Sequence, residues 1–421
     1  RPAGAGAALL FVLMPLTVWE STAASSDLAL TFFIVAGAYL IALLLEGTSR
    51  RLALAAGLFA GLALSFKLVA LLYLPALTLV FIALVLLQGR RFGLVPWFAL
   101  GGLVGGAPWL LLRFVQTGNP VFPLYNDVFR SDRWPPVHER FDLGQFGIGT
   151  SPEAFVSVWW QATNDPSRFG QETPAWLIGL PLLASIAVLP LLSTLLRRRP
   201  AAVWALTAVA ALVSWFALSQ YHRYGLPAFA LLAPVAAFAL VEALRRLDER
   251  RVLPLALVLL AMAWFAAGTG VTFGTFSLVP DRFPTAPLLG REEDDAYRLR
   301  AIPDYEAIRF FDTATRGTDE SGVILGFPYN YFATNRLYDV IVPETLSPFR
   351  RIVAAGGAPE AMARALVDAG VVWFIYDTRN PFKAVYPPPW LATSVLAPAF
   401  VEHHIEEAFA ADGVVVYRIV E

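Results

Sequence analysis

A chain of 421 residues that is 57% hydrophobic and only 15% charged departs from water-soluble domains, in which about a quarter of residues carry charge. The charge is unevenly divided: residues 1–276 hold 19 Lys/Arg and 13 Asp/Glu, and residues 277–421 hold 13 and 20. Cysteine is absent, which excludes disulfides and thiolate metal sites, and His138, His222, His403 and His404 show no metal-ligand spacing.

The chain opens at Arg1 and enters apolar sequence at once. Gly6–Val18 is short for a span and lacks signal-peptide features, so it is expected to be the tail of a helix that begins upstream in a longer gene product. A hydrocarbon core about 30 Å thick needs roughly 20 apolar helical residues. Runs near that length follow at Leu28–Leu45, Leu52–Phe66, Val69–Leu87, Leu94–Val115, Ala175–Leu196, Ala201–Leu218, Tyr224–Leu244 and Val252–Phe276. With the partial first helix, about nine spans are expected. Only Lys67 separates Leu52–Phe66 from Val69–Leu87, so a tight hairpin and one broken helix are both open.

Charge on the connections favours two spans there. Arg50, Arg51, Arg90, Arg91, Arg197, Arg198, Arg199, Arg245, Arg246, Arg250 and Arg251 fall on alternate connections, and the other short ones carry only Lys67 and Arg223. Excess Lys/Arg marks cytoplasmic loops. The Glu20–Asp27 loop, the long 116–174 loop, the Gln220–Arg223 turn and the C-terminal region are then expected outside. Within the long loop, SPEAFVSVWWQAT starts with a Ser N-cap and Glu153 and puts Phe155, Trp159 and Trp160 near one face. It reads as a short helix in the interface, where Trp is favoured.

Residues 277–421 read as a soluble α/β domain on the outer side, periplasmic or extracellular. Helices are expected near Asp304–Ala314, Pro359–Ala369 and Trp390–Ala410. Strands are expected at 322–327, 337–342, 371–376 and 415–419, with ADGVVVYRIVE as a closing edge strand and Gly356-Gly357 as a turn. This region suits acceptor binding or stability. The fold class is thus an α-helical polytopic membrane protein, residues 1–276 including the 116–174 loop, with a C-terminal α/β domain at 277–421.

An ionisable side chain near the membrane is costly and calls for a reason. Asp27 precedes an uninterrupted apolar run. It is either an N-cap or a carboxylate aimed into a membrane-level cavity, as a base or a metal ligand. Arg113 is either a snorkelling side chain or a site residue, and Asn119 sits in the turn-rich GNPVFP segment. Gln220-Tyr221-His222-Arg223-Tyr224 places Arg223 at the outer boundary. Its planar fork suits phosphate, and interface anchoring is the other reading. Lys67 carries the same ambiguity.

Four strings in this order carry a family resemblance: Trp19-Glu20-Ser21 with Asp27, then GLALSFKLVALLYLP (61–75), GGAPWLLLRFVQTGNPVFPLYN (105–126) and HRYGLPAFALLAP (222–234). With the topology, they resemble the GT-C superfamily, and more narrowly the bacterial protein mannosyltransferase and aminoarabinose transferase group. The resemblance implies a membrane glycosyltransferase. It would move a sugar from a polyprenyl-phosphate carrier to a lipid, glycan or protein acceptor at the outer face, among membrane lipids and without nucleic acid. It implies Asp27 as the catalytic carboxylate, with a divalent cation as a possible companion. It implies Arg223, Lys67, Arg113, Asn119, Tyr224 and His222 around the donor phosphate and substrate. The family's characteristic first-loop acid pair would lie upstream of Arg1. A lipid-linked glycan transporter and a non-catalytic membrane scaffold are the other classes open to such a chain. A transporter would more often show inverted repeats, which this sequence lacks.

Overall fold

The computed structural model describes residues 2–12, 14–22, 26–87, 91–131, 146–170, 199–247, 285–302, 304–325, 332–339, 348–378 and 393–421. The expected spans Ala175–Leu196 and Val252–Phe276 lie outside them. The chain divides into two compact units, Arg1–Gln116 with Phe141–Thr275, and Thr117–Arg140 with Phe276–Glu421. Residues 117–140, read above as part of the first region's loop, group with the second unit.

The first unit is helical. Its helices are α1 (Pro2–Val12), α2 (Pro15–Thr22), α3 (Asp27–Leu43), α4 (Arg50–Phe66), α5 (Leu74–Leu87), α6 (Val95–Thr117), α7 (Pro152–Asn164), α8 (Arg199–Leu218) and α9 (Leu226–Leu247). The run Gly6–Val18, expected as one helix, is divided between α1 and α2; Pro15 lacks the amide that would continue the first. Among the described residues one helix, Phe92–Thr117, is by itself long and apolar enough to cross a membrane. Asp27–Leu43, Leu74–Leu87 and Ala202–Leu218 are shorter apolar helices.

Lys67 marks the break between the two adjacent runs. Its backbone is extended (φ −158°, ψ 133°), and a 3-10 turn, Leu68–Leu72, follows before α5. That reversal lets α4 and α6 run in the same direction, with their backbones in close approach. A Cβ on Gly61 would lie 2.3 Å from the Gly102 carbonyl oxygen, and one on Gly57 would lie 1.9 Å from that of Phe98. From the other side, a Cβ on Gly101 would lie 2.1 Å from the Leu54 oxygen and one on Gly105 2.5 Å from that of Leu58. Ser65 continues the seam by donating its hydroxyl to the Gly105 carbonyl at 2.7 Å. Small residues at such a seam bring helices close enough for dispersion where lipid supplies no hydrophobic drive.

Elsewhere in this unit larger side chains fill the core. Trp215, Tyr73, Phe81, Phe169 and Phe229 are fully buried. Trp204 donates its indole N–H to the Leu231 carbonyl at 2.7 Å, beside Pro234 inside α9, where a proline weakens the backbone ladder. The outer faces of α3, α5 and α6 expose Phe32, Leu79, Leu86, Leu103, Leu111 and Val115, as suits helices bathed in lipid. In the long loop, α7 forms where SPEAF predicts it, with the Ser151 hydroxyl accepting from the Ala154 amide at 3.1 Å. Ala154, Val158 and Ala162 bury one face, while Val156 and Trp160 are exposed.

The second unit is α/β. Its strands are β1 (Ser321–Leu325), β2 (Leu337–Asp339), β3 (Val371–Asp377), β4 (Ile405–Ala411) and β5 (Val414–Ile419), in the order β2-β1-β3-β5-β4. β1 lies parallel to β2 and β3, and β5 lies antiparallel to β3 and β4. Its longer helices are α10 (Asp294–Ala301), α11 (Tyr305–Ala314), α12 (Pro348–Ala355), α13 (Pro359–Asp368) and α14 (Pro398–His404). Phe349, Met362, Leu366 and Phe400 pack with Phe374 in one cluster. Ile308 and Phe311 pack with Val372, Trp373 and Ile375 in the other. Helices therefore cover both faces of a sheet whose central strand is apolar from Val371 to Ile375.

Two expectations here are corrected. The helix expected over Trp390–Ala410 is helical at Pro398–His404 and becomes β4 from Ile405. β5, expected at the edge, is interior, and β4 takes the edge position. One feature causes both differences. Asp412 (φ 46°) and Gly413 (φ 82°) are both left-handed, the conformation of a two-residue hairpin turn with Asp-Gly at its centre. We expect Gly413→Val to loosen this hairpin by about 1–2 kcal/mol, because a β-branched residue resists that conformation. Faster hydrogen exchange of the β4–β5 ladder amides, with other strands unchanged, is the result to look for.

Candidate active site

Asp27 is not the cap of α3. Ser26 occupies that position, without a side-chain capping bond, and Asp27 is the first helical residue. Its side chain is fully buried, and both carboxylate oxygens accept from the Lys67 ammonium, at 2.7 and 2.8 Å. The break between α4 and α5 is what brings Lys67 here, since an unbroken helix would aim that residue elsewhere. The Lys67 side chain retains 22% of its exposure, so the pair has one open side.

The turn between α8 and α9 supplies the other wall. Lys67 Nζ lies 5.0 Å from the centre of the Tyr224 ring. Arg223 extends its guanidinium 4.8 Å over the Tyr221 ring and 5.7 Å over that of Tyr224. Tyr73, fully buried, donates its hydroxyl to the Tyr224 carbonyl and ties the turn to the segment that carries Lys67. Arg223 and Glu20 are both within electrostatic reach of Lys67. Lys67 lies in the break between helices. Burial pulls its ammonium below the usual lysine range, and the Asp27 carboxylate opposes that shift. Arg223 keeps a buried Nε–H with no hydrogen-bond partner among the described residues.

His222, in the same turn, is buried and stacks on Phe169 at 5.0 Å. Burial pushes its imidazole down to about 3. Arg113 sits over Trp109, one turn back on its own helix, at 4.7 Å. Asn119 is fully buried in the second unit, and its side chain shapes its own loop. Its amide donates to the Leu124 carbonyl at 2.9 Å, and its oxygen accepts from the Val121 amide at 2.9 Å. Of the expected site residues, Asp27, Lys67, Arg223 and Tyr224 therefore come together, joined by Tyr73, Tyr221 and Glu20. The sequence reading missed Tyr73, whose only signal is a hydroxyl inside an apolar run.

Among the described residues no three acidic or His side chains stand close enough to share a cation. Asp27 faces a lysine with both oxygens, and its next charged neighbours include Arg223.

Residues 1–119, which contain Glu20, Asp27 and Lys67, match the family described as dolichyl-phosphate-mannose-protein mannosyltransferase. The whole chain superposes on ArnT from Cupriavidus metallidurans in the apo state, with TM-score 0.54 and 18% identity over 79% of that chain. At that identity the likeness to ArnT is one of fold. ArnT bound to undecaprenyl phosphate gives TM-score 0.47 and 16% identity, again over 100% of this chain and 79% of that one. No curated protein matches the chain. The family match ends within the loop after α6, so the turn bearing Arg223 lies beyond it.

Proposed function

We propose that the chain is an integral membrane glycosyltransferase that takes a sugar from a polyprenyl-phosphate carrier and transfers it to a lipid, glycan or protein acceptor at the outer face. The observation that carries this reading is the pairing of two cations, Lys67 and Arg223, in one aromatic-walled cluster around the buried Asp27. The family match over the segment bearing Asp27 and Lys67 supports a polyprenyl-type donor, since the matched description names a dolichyl-phosphate sugar.

The chemistry follows from charge. The acceptor oxygen forms a bond to the anomeric carbon as the bond from that carbon to the phosphate oxygen breaks. The electron pair leaves with the polyprenyl phosphate, so negative charge grows on the departing oxygen. Lys67 and the unpartnered Nε–H of Arg223 are donors suited to that charge. Asp27 holds Lys67 in place. As the ammonium turns toward the phosphate, the carboxylate is left to accept the acceptor's proton.

The test is transfer of a labelled sugar from a polyprenyl-phosphate donor by the purified protein in lipid vesicles. Arg223→Ala is expected to lower transfer by about a hundredfold or more, the order lost with one preorganised donor to a developing anion. Wild-type protein that transfers nothing from any such donor sinks the reading.

A further inference from the structure

We infer that Gln220 is a positioning residue: its side-chain amide latches the Phe146–Gly149 segment of the long loop to the turn that carries Arg223, and so fixes the guanidinium for the donor phosphate. This rests on the function proposed above.

Gln220 follows α8 with a left-handed backbone, φ 47°, at a place where helices ordinarily end on glycine. A long side chain there carries strain that something else must offset. The residue is 3% exposed, and its amide is fully engaged. The side-chain oxygen accepts from the Ile148 amide at 2.9 Å, and the side-chain nitrogen donates to the carbonyls of Gly149 at 2.6 Å and Phe216 at 2.9 Å. The side chain thus pairs with Ile148 and Gly149 as a neighbouring backbone strand would, while holding the last turn of α8.

The loop is shaped to receive it. A Cβ on Gly147 (φ +101°) would lie 2.1 Å from the Gln220 side-chain oxygen, and one on Gly170 (φ +74°) would lie 1.9 Å from the Tyr221 ring. Phe146 stacks on that ring at 4.4 Å and 14°. Tyr221 in turn lies under Arg223 at 4.8 Å, and its carbonyl accepts from the Trp215 indole at 2.8 Å. Displacing the loop segment therefore displaces Phe146, then Tyr221, then the guanidinium. Gln220 is too far along this chain of contacts to be a ligand itself. It acts through Arg223.

Gln220→Gly keeps the left-handed backbone and relieves its strain while removing the side chain and its three hydrogen bonds. Relief of the backbone strain offsets part of the lost hydrogen bonding, so the expected protein folds with a modestly lowered melting temperature. Its Ile148 amide exchanges faster, its KM for the polyprenyl-phosphate sugar rises about tenfold or more, and its binding of undecaprenyl phosphate weakens in parallel. In an Arg223→Ala background the same substitution adds less than about twofold, because the residue it serves is gone. Gly170→Ala, which pushes on Tyr221 from the loop side, is expected to give the same signature and stands in if Gln220→Gly does not fold. Wild-type KM and undecaprenyl-phosphate affinity in both variants overturn the inference, as does a tenfold loss that persists without Arg223. Wild-type protein that neither binds undecaprenyl phosphate nor transfers a sugar overturns the proposed function and this inference with it. Wild-type binding with an unaltered variant overturns this inference alone.

Discussion

Gly61→Ala is expected to destabilise the helical unit, while Gly102→Ala is tolerated, although both replace glycine in an apolar helix. At Gly61 the new methyl group would lie 2.3 Å from the Gly102 oxygen and 2.8 Å from the Gly106 nitrogen, and neither is a flexible side chain that could move aside. At Gly102 the nearest atom would be 3.8 Å away, an ordinary contact. Alanine gains roughly 0.5–1 kcal/mol over glycine in a helix interior. Overpacking costs about 1–3 kcal/mol and rises when backbone must shift. The helix gain is therefore outweighed at Gly61 and stands alone at Gly102. Parting α4 from α6 would also strain the Ser65 bond to Gly105 and move the C-terminal end of α4, where Lys67 begins. Thermal unfolding in detergent should show Gly61→Ala well below the wild type and Gly102→Ala at or above it. Equal melting temperatures would remove the close-packed seam from the account.

The second large effect concerns the buried ion pair. Lys67→Met leaves the fully buried Asp27 carboxylate without its ammonium partner. Removing one member of a buried pair costs about 3–5 kcal/mol. Asp27→Asn is milder, because Lys67 retains an open side through which water can reach its charge. The double variant Asp27→Asn/Lys67→Met removes both charges and is expected to recover most of the stability, since an apolar replacement of a buried pair is often neutral. It should not recover transfer, because the cation facing the phosphate is gone. Melting temperature and sugar transfer, measured on all four proteins, separate the two roles. A double variant with wild-type transfer would mean that the pair is structural only.

Much of this fold is legible in the sequence, and the exceptions have physical causes. Leu28–Leu45 and Ala201–Leu218 each match an observed helix to within two residues, because a long apolar run has few other ways to satisfy its backbone. The split of Gly6–Val18 is missed because hydrophobicity alone does not report the stop that Pro15 imposes. The conversion of Trp390–Ala410 into helix and edge strand is missed because apolar and acidic residues there fit either period. The Asp412-Gly413 turn was the available signal, and it sets both β4 and the interior place of β5.

The site divides in the same way. Asp27 and Arg223 stand out as charges at the ends of apolar runs, where composition alone marks them. Their partners do not. That Asp27 pairs with Lys67, 40 positions away in sequence, depends on how α3 and α4 pack, which no local pattern reports. Asn119 reads equally well as a ligand or a turn former, and its hydrogen bonds commit it to the turn. Gln220 carries no sequence signal beyond following a helix. Its importance comes from a backbone conformation and from hydrogen bonds to Ile148 and Gly149, 72 and 71 positions earlier.

The most direct test of the central claim is the affinity of undecaprenyl phosphate for the wild type and for Asp27→Asn/Lys67→Met, measured at low and high salt. The account predicts that the double variant, folded and near wild-type in stability, binds at least about tenfold more weakly, the scale of one lost charge-assisted contact of about 1.4 kcal/mol, and with a shallower salt dependence. Equal affinity and equal salt dependence in the two proteins would contradict it, and would place the phosphate away from Asp27 and Lys67.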